Sequence, residues 1–187
     1  MRELKTLVLE SDRLILRPVS SKDTVSLFRN WAGDSLASKY YSFESYEKPQ
    51  DFSDYLDFII HHHGSDECFW VIELKNSHEC IGMIEAERKK KTYVNVEIGF
   101  SIGSKYYGCG YATEAVKRMI QYLFKECRAH IVTAHMTSAF EEGGKVYERA
   151  GMRKEVVLKD RRIHPDTHEY CDLNVYSILE EDYLWIR

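Results

Sequence analysis

The run VEIGFSIGSKYYGCGYATEAVKRMIQYLF, residues 96–124, constrains the fold more than any other part of the chain. Thr92–Ile102 alternates apolar and polar residues as a half-buried strand does. It leads through Gly103–Gly110 into a helical pattern over Tyr111–Cys127, where Ala112, Ala115, Val116, Met119, Ile120, Leu123 and Phe124 form one apolar stripe. A strand that turns directly into a long amphipathic helix must cover a sheet with that helix, which commits the chain to α/β packing. Gly108 and Gly110 stand at the turn, where the lack of a Cβ lets backbone N–H groups face inward. The helix N-terminus adds partial positive charge, so the loop suits a pyrophosphate. A strand-to-helix turn that merely needs left-handed dihedrals explains the same glycines, and spacing alone leaves both readings open.

Two other phosphate motifs are excluded. GxxxxGK[ST] is absent, so the loop is not a P-loop. Thr113 spoils the third glycine of a dinucleotide fingerprint, and the following strand ends in His135-Met136 rather than in an acidic residue for a ribose.

The rest of the chain predicts elements on either side of this unit. Arg13–Pro18 alternates as a strand, and Ser20 and Ser21 offer caps for a helix carrying Leu27, Phe28 and Trp31 inward. A second helix begins near Pro49 and runs to about His63. Cys68–Leu74 and Cys80–Glu87 read as a strand hairpin, with the basic run Arg88–Lys91 as a solvated turn. Ala129–Met136 reads as a buried strand, and Gly143–Ala150 as a short helix ended by Gly151. Met152–Arg162 and Glu169–Leu179 read as two long strands joined at His164–His168. The order is β-α-α-β-β-β-α-β-α-β-β, which packs as a mixed sheet with helices on both faces.

Composition narrows the function. At 187 residues with 44% hydrophobic residues the chain suits one domain with a full core. A net charge of −4 argues against nucleic acid as the main partner and is compatible with a cationic substrate. Apolar runs are far too short for a membrane span, and the charged start MRELKTLVLESDR does not read as a signal peptide, so a cytoplasmic location is expected. The five cysteines lack CxxC spacing, and a Pro-Asp turn explains His164 and His168, so no metal is expected.

The segment 96–124 resembles the central acetyl-CoA motif of the GNAT acetyltransferase superfamily, and it is most similar to the Rim-type branch that acetylates N-termini of ribosomal proteins. ESDRLILRPVSSKD, YERAGM and EYCDLNVYSILEEDY extend the resemblance over nearly the whole chain, and 32–67 is where it is weakest. It implies a single acetyltransferase domain over residues 1–187, with a central, mixed, mostly antiparallel sheet flanked by helices. It also implies acetyl-CoA as co-substrate. Backbone N–H groups of Tyr106, Tyr107, Gly108, Cys109, Gly110, Tyr111 and Ala112 would hold the pyrophosphate, with Lys105 in place of the family's Gln or Arg. The pantetheine arm would run along Val96–Ser101, beside Ile98 and Phe100, with Gly99 near a bulge.

Amine acetylation needs a base for the ammonium proton and an acid for the leaving thiolate. Glu97, in the middle of an otherwise apolar strand, is the candidate base, although the alternate side of a strand also faces solvent. Tyr147 resembles the family's general-acid tyrosine, and packing in a short helix is the other use for it. The family's usual asparagine is Phe140 here, which removes one polar contact to the cofactor. Trp31, Tyr40 and Tyr41, with Phe43 and Tyr46, are the expected acceptor contacts, since aromatic faces suit a cation. The acceptor is a protein N-terminus, a polyamine, an aminoglycoside or another small amine. A homodimer is left open. Two further readings compete: a non-catalytic acyl-CoA-binding module, and an interaction domain without CoA.

Overall fold

The strand runs at residues 68–74 and 80–84 are apolar or buried at nearly every position, so the sheet has two faces to cover and needs helices on both sides. The computed structural model describes residues 3–40, 45–62, 66–88 and 95–185, and it shows this arrangement. Eight strands form one sheet: β1 (Leu9–Glu10), β2 (Leu14–Pro18), β3 (Glu67–Leu74), β4 (Cys80–Arg88), β5 (Asn95–Ile102), β6 (Ile131–Thr137), β7 (Arg153–Ile163) and β8 (Tyr170–Leu179). Their spatial order is β1-β2-β3-β4-β5-β6-β8-β7. All neighbours are antiparallel except β5 and β6.

The helices are α1 (Thr24–Leu27), α2 (Ser35–Ser38), α3 (Pro49–His62), α4 (Tyr111–Lys125), α5 (Glu141–Arg149) and α6 (Glu180–Trp185). On one face, α4 and α5 pack on Val96, Ile98, Phe100 and Ile102, and Met119, Leu123 and Tyr147 are buried among them. On the other face, Leu27, Trp31, Phe52, Leu56 and Ile59 cover Val71, Cys80 and Met83. Each buried large side chain of this kind contributes roughly 1.5–3 kcal/mol relative to exposure. Among the described residues no helix is long and apolar enough to cross a membrane.

Three departures from the sequence reading matter for the site. The helix expected after Ser20 is broken into a tight turn at Ser21–Asp23, α1, and a wide π turn at Phe28–Ala32. Asn30 explains the wide turn in part: its side-chain amide donates to the Cys80 carbonyl at 3.0 Å, which draws the segment onto β4. The short helix near Gly143 begins two residues earlier, at Glu141. Gly143 and Gly144 are there for close approach, since a Cβ on Gly144 would lie 2.3 Å from the Tyr176 hydroxyl. The bulge expected near Gly99 is absent from the β4–β5 ladder, whose register runs unbroken from Gly82↔Ile102 to Arg88↔Val96. Register shifts lie instead in the β3–β4 pair, between Ile72 and Glu73, and in the β7–β8 pair, between Lys154 and Val156 and between Leu158 and Arg162.

β2 is pinned to the rest by a polar knot. Arg17 donates from both terminal nitrogens to the Asp23 carboxylate, at 2.8 and 2.9 Å, and from Nε to Glu73 at 2.5 Å. Burial by itself would raise the Asp23 carboxyl, but the Arg17 fork and the Ser20 N–H outweigh it and hold Asp23 below the usual carboxylate range.

Candidate active site

The glycine loop has the geometry that its composition suggests. Gly108 and Gly110 sit at φ 74° and 81°, a region that residues with a Cβ reach only under strain. A Cβ on Gly108 would meet nothing within 4 Å, so the space above the loop is open. Gly110 is the N-cap of α4, and the first-turn N–H groups at Tyr111, Ala112 and Thr113 have no intrahelical carbonyl to bond. This loop and the start of α4 wall a cleft of about 1410 Å³. Tyr106, Tyr107, Gly108, Gly110 and Ala112 line it, with Ile102, Phe140 and Val146 at the apolar end. The Tyr106 and Tyr107 hydroxyls and Arg118 Nη1 are buried without a partner among the described residues. Burial, with Asp34 and Tyr40 nearby, pushes the Tyr107 phenol up to about 12. Open left-handed glycines, orphaned donors and an apolar extension fit a ligand that is polar and anionic at one end and alkyl at the other, as CoA is.

A second cleft of about 810 Å³ opens where β5 and β6 part. Their parallel pairing runs only from Asn95↔Ile131 to Ile98↔Ala134, although both strands continue. Past that point Gly99–Ile102 and His135–Thr137 diverge, which leaves a wedge between them. Phe100 lines both clefts, so the wedge joins them.

Glu97 and Tyr147 both line the second cleft. Odd-numbered residues of β5 face away from α4, so Glu97 points to the side covered by the N-terminal helices. Its carboxylate is 3.1 Å from His135 Nδ1, and its side chain is 26% exposed. It is therefore partly desolvated rather than fully buried, within reach of both the His135 imidazole and the cleft. Tyr147 is 1% exposed and packs edge-on to Phe100 at 5.3 Å between ring centres. Burial, with smaller contributions from Glu85 and Glu97, pushes its phenol far above the usual tyrosine range, so it holds its proton throughout the physiological range. Both candidates thus meet at the wedge.

The remaining walls come from distant segments. Trp31 is buried, and its indole N–H donates to Ser101 Oγ at 2.7 Å, which fixes one side. Tyr40 lines the second cleft and stacks on Phe140 at 4.7 Å with the rings 6° from parallel. Phe140, which lines the first cleft, thus bridges the two clefts as an aromatic partner. Lys39 pairs with Asp166 at 2.6 Å, which ties the β7–β8 hairpin across the mouth beside Arg162 and Pro165. Tyr55, Phe69 and Glu85 complete the lining. Tyr41 and Phe43 lie outside the described residues. Tyr46 packs against Phe52 and Tyr55 in the core of that face.

Three loop residues sit differently from their neighbours. Lys105 donates to Asn30 Oδ1 at 2.8 Å and does not line the first cleft. Cys109 gives its carbonyl to Arg13 at 3.0 Å. The Tyr111 ring lies under the Arg13 guanidinium at 4.5 Å. Sequence reasoning missed Arg13, Asn30, Glu85 and Tyr55, since each reaches the site from another element. The one signal open to it was the charged pair Arg13 and Glu114, which carries meaning only once β2 lies beside α4.

The fold is shared with solved acetyltransferases, and a family model covers most of the chain. A family model described as an acetyltransferase (GNAT) domain matches residues 13–153, and the chain belongs to that family. It is an acetyltransferase, and its family uses acetyl-CoA. It is 28% identical over 174 residues to YoaA, an uncharacterized N-acetyltransferase of Bacillus subtilis, across 92% of this chain and 97% of that one. A GNAT-family acetyltransferase from Bacillus anthracis superposes with a TM-score of 0.79 at 26% identity, covering 94% of this chain and 99% of that one. The spermidine N-acetyltransferase of Vibrio cholerae, solved with CoA and spermine, gives a TM-score of 0.77 at 21% identity, covering 93% of this chain and 99% of that one; this likeness is one of fold.

Proposed function

We propose that this acetyltransferase transfers the acetyl group of acetyl-CoA by direct attack of a primary amine, with a cationic small amine as acceptor. The observation that carries the reading is the wedge between β5 and β6, where the cleft walled by the glycine loop meets an aromatic cleft that holds Glu97 and Tyr147. The first cleft would hold the diphosphate on the Tyr106–Ala112 loop and the pantetheine arm past Ile102 and Phe100, up to the second cleft, which Ile98 lines. Bound there, acetyl-CoA supplies an activated acyl group on a thiol leaving group. Glu97 takes the ammonium proton at its carboxylate, so that the amine nitrogen carries a lone pair; His135 holds that carboxylate in place. Tyr147 holds a proton at its hydroxyl for the departing sulfur, and its burial excludes water from the wedge.

Glu85 and Glu97 among Trp31, Tyr40, Tyr55 and Phe69 favour a cationic acceptor, because carboxylates and aromatic faces both attract ammonium groups. The name of the Vibrio cholerae spermidine N-acetyltransferase supports a polyamine. The resemblance to the Rim-type branch makes a protein N-terminus the second acceptor class. A product assay decides: acetyl-CoA is incubated with spermidine, aminoglycosides, simple diamines and peptides with free N-termini, and products are weighed by mass spectrometry. Acetylated amine from the cationic small molecules supports the reading. Acetylation of peptides alone moves the acceptor to protein N-termini, and CoA binding without any product would leave a binding module.

A further inference from the structure

The loop residue with the most obvious positive charge, Lys105, turns its ammonium to Asn30, 4.8 Å from the Tyr106 ring centre, and lines no part of the cofactor cleft. Another cation stands at the loop. Arg13, from the connection between β1 and β2, reaches across to the start of α4. Its Nε donates to Glu114 Oε2 at 2.6 Å, its Nη1 donates to the Cys109 carbonyl at 3.0 Å, and its plane covers the Tyr111 ring at 4.5 Å. A Cβ on Gly110 would stand 3.3 Å from its Nη2. Glu114 is itself held, since its Oε1 accepts from the Arg13 backbone N–H at 2.7 Å and from Ser11 Oγ at 2.8 Å. Burial would raise the Glu114 carboxyl, but these bonds outweigh it and keep it below the ordinary range, so it stays charged opposite the guanidinium.

The bond to Cys109 has a directional consequence. A peptide unit is planar and trans, so the carbonyl of one residue and the N–H of the next point to opposite sides. Fixing the Cys109 carbonyl on Arg13 therefore fixes the Gly110 N–H on the other side. Gly110 has no side chain to stabilise its left-handed conformation, so without an anchor this peptide is free to rotate. A planar fork can hold the carboxylate and the carbonyl at once, which an ammonium on a flexible stem does less well.

We propose that Arg13 is a positioning residue for the cofactor: it anchors the Cys109–Gly110 peptide so that the loop's N–H groups are set for the diphosphate before CoA arrives. This rests on the CoA-binding reading above. It does not require Arg13 to hold the fold together, because Ser11 Oγ and the Arg13 backbone N–H still bind Glu114 when the guanidinium is gone.

The test is calorimetric titration of the full chain with CoA, which needs no acceptor, for the parent, Arg13→Ala and Arg13→Lys, with melting temperatures measured without ligand. Arg13→Ala should weaken CoA binding about tenfold or more, as expected for loss of a hydrogen bond from a charged donor, and Arg13→Lys should recover only part of it. The ligand-free melting temperature should stay within about 3 °C of the parent. Affinity within twofold of the parent in both variants overturns the proposal and leaves the CoA reading intact. A parent that does not bind CoA sinks the reading itself. A ligand-free melting temperature that falls in step with affinity, or failure of both variants to fold, overturns it in favour of a structural brace. Should Arg13→Ala alone fail to fold, Arg13→Lys decides, and parent-like affinity in it overturns the proposal.

Discussion

The two clefts that meet at Phe100 are built in opposite ways. The loop wall of the first cleft takes Tyr106, Tyr107, Gly108, Gly110, Ala112 and Thr113 from one short run at a helix start, and most of what they offer is backbone. The second cleft takes Trp31, Tyr55, Phe69, Glu85, Glu97, His135 and Arg162 each from a different element, and what they present to it is side chain. The physical demand differs. A diphosphate is the same anion in every turnover, and N–H groups at a helix end satisfy it whatever the side chains are. An acceptor must be distinguished from other amines, which takes side-chain shape and charge. Changes in the loop should therefore abolish binding, whereas changes in the acceptor cleft should grade from chemistry to selectivity.

Glu97→Gln tests the chemical end of that contrast and should show the largest effect. Turnover should fall on the order of 10²- to 10⁴-fold, most strongly below the pKa of the amine, where a base is needed. An unchanged pH–rate profile would move the base to His135. Gly110→Val tests the other cleft. A branched side chain at φ 81° strains the loop, so the stabilisation that the parent gains from CoA, roughly 2.7 kcal/mol at 100 times the dissociation constant, should vanish in a thermal-shift assay. A parent-like shift would mean that the diphosphate binds elsewhere.

Tyr147→Phe removes one hydroxyl and keeps the ring that packs on Phe100. At least a tenfold loss of kcat is expected, with the acetyl-CoA KM and the melting temperature nearly unchanged, because an acid acts only as the C–S bond breaks. Full kcat in this variant would reduce Tyr147 to packing. Phe140→Asn sits on the border of the two clefts. Loss of its stacks with Tyr40 and Tyr107 should cost a few degrees of melting temperature, against an at most about tenfold lowering of the acetyl-CoA KM from a new hydrogen bond. An Asn variant as stable as the parent would show that the stack holds nothing together.

The smallest effect lies outside both clefts. Asp23 and Glu73 have carboxyls held below the ordinary range, for which burial is the larger opposing influence and Arg17 a common counterweight. A depressed carboxyl adds stability above its unfolded value, about 4, and that stability is lost as pH falls through the folded value. Melting temperature should hold steady from pH 7 to 5 and drop below about pH 4. Arg17→Gln should lie well below the parent at pH 7, and the gap should narrow progressively as pH falls below about 4. A constant gap would exclude this linkage.

Local pattern alone sets much of this molecule. The alternation of β5, the apolar stripe of α4 and the two glycines between them each lie within one turn or one strand of their partners, so the cofactor loop is legible without a fold. The same holds for the hairpin strands and for Tyr147 and Glu97 as candidates. Three things were decided only by tertiary structure. Strand β1 is two residues long and has no period to read, so only its pairing with β2 creates it. The wedge depends on where β5 and β6 cease to pair, which the twist of the sheet and the packing beneath it fix. Arg13 bonds to the Cys109 carbonyl and Lys105 to Asn30, because a side chain bonds to whatever the fold brings within about 3 Å, and in this chain those partners stand 96 and 75 residues away.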